Sequence, residues 1–172
     1  TVRGMKAEGH PYTGFLYAGL MIDSNGNPYT IEFNCRLGDP EAQPIMSRLK
    51  TDLIKLIEHG VNGTLDKAEA EWDRRMAVGV VLAADGYPDM ARVGDVIDGV
   101  PSETDDAIVF HAGSRLNEQG QLETCGGRVL CVVGLGDSIR IAQLRAYAIA
   151  DRIQFVGKQM RRDIGAKGWL RR

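Results

Sequence analysis

Cysteine is scarce in this chain, and its three copies (Cys35, Cys125 and Cys131) are an odd number with no C-x-x-C spacing. That indicates neither a disulfide framework nor a zinc site, and it fits a reducing, cytoplasmic compartment. No charge of one sign dominates. With 21 Lys and Arg against 23 Asp and Glu, a formal net charge of −2 and a pI near 5.9, the basic footprint of a nucleic-acid binder is missing. Long apolar runs are missing too. The longest, Val78–Ala84 and Val129–Gly136, fall far short of the ~20 residues a membrane span needs, so no membrane partner is expected. The opening TVRGMKAEGH is neither a signal nor a transit peptide. There is no internal repeat, no legible Ser/His/Asp or Cys/His arrangement, and no phosphate-binding glycine loop of the P-loop or Rossmann type.

Glycine, by contrast, is abundant: 21 of 172 residues, without a G-X-Y period. Such a content predicts many turns and backbones that approach something closely. The 44% hydrophobic and 26% charged fractions lie near globular averages, and the length suits one domain or two small ones. The chain begins with Thr1 and enters a strand-like pattern within a dozen residues. It is therefore expected to be a fragment, the C-terminal part of a longer polypeptide.

Tyr12–Ile22 is rich in aromatic and β-favouring residues, Asp23–Pro28 supplies turn chemistry, and Tyr29–Cys35 resumes alternation. Together they predict an antiparallel hairpin, with Ile31, Phe33 and Cys35 on a buried face. Asp39-Pro40-Glu41 has the form of a helix start, with a carboxylate N-cap and proline at the first position. Ile45, Met46, Leu49, Leu53, Leu56 and Ile57 then predict one helix, with His59 in its last turn and Gly60 ending it. Residues 61–75 read as a polar connection with one short helix, and a boundary near residue 66 separates a first domain, 1–66, from a second, 67–172.

In the second domain, Met76–Ala84 and Arg128–Leu135 are apolar enough for strands buried on both faces. Asp95–Ile97 is expected as a short edge strand. Ile108–Ala112 is strand-like, and Ser114–Leu116 is expected to pair with Gln121–Thr124 across the turn Asn117–Gly120. Asp137 or Ser138 can cap a helix from Ile139 to about Ile153, with Ile139, Ala142, Ala146, Ile149 and Ile153 on one face. Phe155, Ile164 and Trp169 are the anchors of a polar tail. Cys131 and His111 are read as core residues.

Three groups are candidates for chemistry. Glu32-x-Asn34-x-Arg36 places a carboxylate, an amide and, if the strand continues, a guanidinium on one strand face. Hard oxygen ligands of this kind suit Mg²⁺ or Mn²⁺ shared with phosphate, while a planar guanidinium suits phosphate or carboxylate. An ordinary polar ribbon face with a surface Glu–Arg pair has the same spacing. Asp39 and Glu41 read either as simple capping or as carboxylates that hold an ammonium group. Gly126-Gly127-Arg128 reads either as an anion-binding nest with its counter-charge or as a glycine turn beside a surface arginine.

In combination, the residues resemble a known family. Gly14–Ile22 (GFLYAGLMI) and Ile31–Gln43 (IEFNCRLGDPEAQ) are similar to phosphoribosylamine–glycine ligases (glycinamide ribonucleotide synthetases) of the ATP-grasp superfamily. Gly86-Tyr87-Pro88, His111-Ala112-Gly113, Gly126–Leu130 (GGRVL) and Arg162–Gly165 (RDIG) agree, so the likeness runs from about Glu8 to Gly165. Leu37, commonly Phe, and Ala42, commonly Thr, depart from the family pattern beside the site without replacing a ligand.

The resemblance implies an α+β fold: the C-terminal part of an ATP-grasp domain, antiparallel strands plus helix, followed by a small β-rich C-terminal domain with one long helix. It implies ATP as co-substrate with Mg²⁺ or Mn²⁺, and glycine and 5-phosphoribosylamine as substrates, joined through glycyl phosphate in purine biosynthesis. Glu32 and Asn34 match the metal ligands, and Arg36 is placed for the phosphoryl or acyl-phosphate oxygens. The resemblance would have Asp39 and Glu41 hold the glycine ammonium, and Gly126, Gly127 and Arg128 close over the phosphoribosyl end. Many ATP-grasp relatives carry a further metal-binding acid where this chain has Gly19. The missing N-terminal part of the same polypeptide would be a partner, and the isolated chain is expected to be inactive. Another ATP-grasp carboxylate–amine ligase, or a non-catalytic binding module, is the alternative.

Overall fold

The computed structural model describes residues 1–102 and 104–170, the last two by their backbone alone. In chain order it contains helix α1 (Val2–Ala7), strands β1 (Tyr17–Ile22) and β2 (Pro28–Asn34), and helices α2 (Ala42–Arg48) and α3 (Leu53–Val61). Strands β3 (Met76–Ala83), β4 (Ala107–His111), β5 (Ser114–Leu116), β6 (Leu122–Thr124) and β7 (Arg128–Gly136) follow, then helices α4 (Ile139–Arg152) and α5 (Ala166–Leu170). The chain divides into two units, Thr1–Asp39 with Leu49–Trp72, and Pro40–Arg48 with Asp73–Arg172. Among the described residues, no helix is long and apolar enough to cross a membrane.

In the first unit β1 and β2 form the expected antiparallel hairpin. Asp23 closes it: its carboxylate accepts the backbone N–H of Asn25 and Asn27 (both 2.8 Å) and the Asn27 side-chain amide (3.0 Å). This is an aspartate turn of the kind that competes well with extended backbone. The expected burial of Ile31, Phe33 and Cys35 is not met. Ile31 is 64% and Phe33 48% exposed, and Cys35 is exposed as well. A two-stranded ribbon has no second layer of its own, and alternation alone cannot supply one.

The single helix expected from Pro40 to Gly60 is two helices. Leu49 leaves the first to form an antiparallel bridge with Trp72, and the Lys50 N–H donates to the Glu71 carbonyl (2.9 Å). Asp52 then caps α3, accepting the Ile54 N–H at 2.9 Å. Apolar periodicity ran through the break because a polar cap costs the pattern only one turn. At its far end α3 continues through Gly60 to Val61 and is closed by Asn62, with Gly63 in the left-handed region at φ +66°. His59 does lie in the last turn, its Nδ1 2.9 Å from the Thr64 hydroxyl. The short helix of the connection is a 3-10 turn, Leu65–Lys67, and α1 has no counterpart among the expectations.

The second unit is built on a three-stranded antiparallel sheet in the order β3-β7-β4. Strand β7 is central and, as its apolar run predicted, buried along nearly its whole length. On one face Val78, Val80, Leu82, Leu130 and Val132 meet Ala142, Ala146 and Ala150 of α4. Gly134 lets the helix come close: a Cβ there would stand 2.3 Å from the Ala142 carbonyl oxygen and 2.5 Å from the Ala146 nitrogen. The other face is covered in part by α2, whose Pro44 lies against Gly79. Accordingly β3 is not buried on both faces, since Ala77, Gly79 and Val81 remain half-buried.

Ser138 caps α4 as expected, its hydroxyl accepting the Ile141 N–H. Strands β5 and β6 pair across the turn at Asn117, whose side-chain oxygen accepts the Gln119 and Gln121 N–H groups. Asp95–Ile97 is no strand; Val96 and Asp98 each make a single bridge, to Glu123 and Gln154. Cys131 is core, but His111 is not. It ends β4, exposed, with Nδ1 3.0 Å from the Ser114 hydroxyl. Phe155 is buried and Ile164 packs on the core, while the Trp169 side chain lies outside the described residues.

Candidate functional site

The face that carries Glu32 and Asn34 is set by an irregularity. Gly19 pairs with Glu32, but the next residue, Leu20, pairs with Thr30, so Ile31 is an extra residue in β2. A bulge of this kind re-aims the side chains that follow it. Because cross-strand partners share a face, Glu32 and Asn34 stand with Gly19, Tyr17, Met21 and Tyr29, and Thr30 is turned to the other side. Gly19 gives Glu32 its room: a Cβ at that position would lie 3.1 Å from Glu32 Cγ. Glu32 is exposed and Asn34 half-buried, and no side-chain hydrogen bond or ion pair engages either one among the described residues.

Arg36 does not extend that face. The strand ends at Asn34, and Arg36 sits in a bend with its Nη1 donating to the Leu37 carbonyl at 2.9 Å. Asp39 is exposed in the turn before α2. The helix starts later than its proline suggested: the Glu41 carbonyl accepts the Ile45 N–H at 3.2 Å, so Glu41 holds the position that Asp39 was expected to take. Gln43 of the same string has its side-chain oxygen buried without a hydrogen-bond partner among the described residues, and sequence reasoning did not single it out.

Glu41 belongs to the second unit, as do Gly126, Gly127 and Arg128, which lead into β7. Neither Gly126 nor Gly127 has a positive φ, so the alternation of right- and left-handed residues that makes a nest is not there. Their smallness serves contact instead. A Cβ on Gly127 would stand 2.5 Å from Cδ2 of the Tyr87 ring, and one on Gly113 would stand 2.7 Å from the Cα of Gly126. Arg128 is half-buried; its Nε donates to the Tyr87 hydroxyl at 2.8 Å, and its guanidinium carbon is 5.9 Å from that ring's centroid. Tyr87 was legible only as part of a Gly-Tyr-Pro loop, since the pairing spans 41 residues of chain.

Among the described residues, no group of three or more His, Cys, Asp or Glu side chains gathers to hold a metal. Glu32 and Asn34 offer two hard oxygen donors on one face, a set that fits Mg²⁺ or Mn²⁺ only when phosphate and water complete the shell.

The architecture is α+β, and residues 1–42 match the family model for the ATP-grasp (A) domain of phosphoribosylglycinamide synthetase. That marks residues 1–42 as part of a domain of the ATP-grasp class. The model for the C domain of the same synthetase matches residues 77–167, and the chain belongs to the phosphoribosylglycinamide synthetase family. Curated relatives include the phosphoribosylamine–glycine ligases of Ralstonia nicotianae, 59% identical over 96% of this chain, and of Neisseria meningitidis serogroup B, 58% identical over 97%. The chain covers 39% and 40% of their lengths. A solved phosphoribosylamine–glycine ligase from Thermotoga maritima superposes with a TM-score of 0.80 at 40% identity, over 94% of this chain and 39% of its own.

Proposed function

We propose that this chain is the C-terminal portion of an ATP-dependent phosphoribosylamine–glycine ligase, which joins glycine to 5-phosphoribosylamine in purine biosynthesis. The observation that carries the reading is the end of β2, where Glu32 and Asn34 share one face beyond the bulge at Ile31 and no side-chain hydrogen bond or ion pair engages either one among the described residues. Carboxylate and amide oxygens so arranged suit a divalent cation shared with a triphosphate. On this reading residues 1–66 complete the ATP-grasp domain and 67–172 form the C-terminal domain. The exposed Ile31 and Phe33 agree with it, since they are apolar groups that a further layer of the longer relatives would cover. Three free thiols agree with a reducing, cytoplasmic setting.

The reaction has two steps. A glycine carboxylate oxygen attacks the γ-phosphorus of ATP, and ADP leaves as glycyl phosphate forms. The amine of 5-phosphoribosylamine then attacks the acyl carbon; phosphate leaves, the nitrogen gives up a proton, and the amide remains. Glu32 and Asn34 would hold Mg²⁺ or Mn²⁺, whose chemistry is to neutralise the transferring phosphoryl oxygens. Arg36, which stands off that face and donates to the Leu37 carbonyl, would turn its guanidinium to stabilise negative charge on the phosphoryl or acyl-phosphate group. Asp39 and Glu41 would orient glycine through its ammonium group. Gly126, Gly127 and Arg128 would receive the phosphoribosyl end, with Arg128 meeting its phosphate.

The test is Glu32→Ala in the complete ligase that contains this chain. Loss of a ligand worth several kcal/mol in the transition state predicts a fall in ATP-, glycine- and phosphoribosylamine-dependent phosphate release of about 100-fold or more. The circular dichroism spectrum should not change, because Glu32 is exposed and no side-chain hydrogen bond or ion pair engages it among the described residues. Turnover within a few-fold of wild type would sink the metal-ligand assignment. Substantial turnover by the 172-residue chain alone would sink the view that it is a portion of the enzyme.

A further inference from the structure

Resting on the reading of Arg128 as the contact for the phosphoribosyl phosphate, we propose that Tyr87 is the positioning residue that sets the direction of the Arg128 guanidinium. Arginine is long and rotamer-rich, so a phosphate site built on it gains affinity when the guanidinium is held in place before substrate arrives. Tyr87 does this twice. Its hydroxyl accepts the Arg128 Nε–H at 2.8 Å, which sets the rotation about the end of the side chain, and its ring centroid lies 5.9 Å from the guanidinium carbon, within reach of a cation–π contact.

The ring is itself held. Gly127 allows it to lie where any larger residue would collide with Cδ2 and Cε2, at 2.5 and 3.1 Å from an added Cβ. The Tyr87 loop is tied to the glycine turn by the Ala84 N–H donating to the Gly127 carbonyl (2.9 Å), and it closes on itself through Arg92 N–H to Asp85 O (2.8 Å) and Met90 N–H to Gly86 O (3.0 Å). Loop, turn and arginine are therefore tied to one another. Gly86-Tyr87-Pro88 and Gly126-Gly127-Arg128, far apart in sequence, become two halves of one device.

Tyr87→Phe keeps the ring and removes only the hydroxyl, so it isolates the hydrogen bond. In the complete ligase it should raise KM for phosphoribosylamine about three- to tenfold, the range of one lost hydrogen bond, and leave KM for ATP and for glycine unchanged. Arg128→Ala should raise the same KM further, and the double variant should be no worse than Arg128→Ala alone, because Tyr87 acts through that side chain. If Arg128→Ala raises KM for phosphoribosylamine while Tyr87→Phe does not, or if the two effects add, the positioning role is wrong and the substrate contact stands. An unchanged KM in Arg128→Ala overturns both. Equal shifts in all three KM values, or a lowered melting temperature, would make Tyr87 a residue of the fold and overturn the proposal.

Discussion

Gly134→Ala should loosen the long helix from its sheet, and the size of the effect follows from the packing. The added Cβ would lie 2.3 Å from the Ala142 carbonyl oxygen and 2.5 Å from the Ala146 nitrogen, where ordinary contact begins at 3.4 Å. Both obstacles are backbone, so no side chain can swing away; α4 must retreat by about 1 Å, and a gap of that size forfeits a quarter to a half of each dispersion contact. The retreat also parts Ala142, Ala146 and Ala150 from Val80, Val132 and Leu130, all of them buried. Overpacking of this kind costs about 2–3 kcal/mol. The same substitution at Gly60 should do the reverse. That glycine is helical, lies within α3 and has nothing within 4 Å of an added Cβ, so alanine should stabilise it by about 0.5 kcal/mol. Because the two positions lie in different units, amide hydrogen exchange read separately on peptides from β7 and from α3 is the suitable assay. Exchange on β7 within about 0.5 kcal/mol of wild type in Gly134→Ala would refute the packing argument.

Two predictions concern pH. The Lys158 ammonium is held below its ordinary range by burial, opposed by Asp151 and aided by Arg162, while it donates to the carbonyls of Ala150 and Ile153 at the end of α4. The unfolded chain then binds more protons between the depressed and the ordinary lysine value, so this group's contribution to stability rises with pH through that alkaline window. The urea stability of wild type relative to Lys158→Gln should rise from pH 8 to pH 10, and a constant difference would exclude it. Asp23 is held below the usual carboxylate range, chiefly by the Asn27 side-chain and backbone bonds. Its contribution to the hairpin is present above the ordinary aspartate value and lost as pH falls through its folded value; a carboxylate titration by NMR at or above the ordinary value would contradict the turn geometry.

Much of the second unit was legible because its elements carry strong local signals. The apolar run at 128–136 marked the central strand, and Ser138 followed by small and apolar residues at helical spacing marked α4 and its packed face. What failed was whatever depended on a neighbour distant in the chain. The helix expected from 40 to 60 broke because Leu49 pairs with Trp72, a contact no periodicity contains. His111 looked apolar by its company in β4 but falls at the strand's open end. In the site, Glu32 and Asn34 were found as a pair because side chains two apart on a strand share a face; the bulge at Ile31, which changes what else stands on that face, has no marker in the residues themselves.

The amino-acid sequence alone determined the chemistry on offer: oxygen donors at Glu32 and Asn34, a guanidinium at Arg36, glycines ahead of Arg128, too few cysteines for a scaffold, and a family likeness along most of the chain. It did so because residue type and short-range spacing are properties of the chain itself. Tertiary structure decided which of those groups act together. It set Gly19 opposite Glu32, turned the Gly126-Gly127 pair from a nest into a seat for the Tyr87 ring, and brought that ring's hydroxyl to Arg128. Contacts of this kind exist only once packing has brought distant segments within a few ångströms, and there the shape of a neighbour, rather than the residue's own type, settles what it can do.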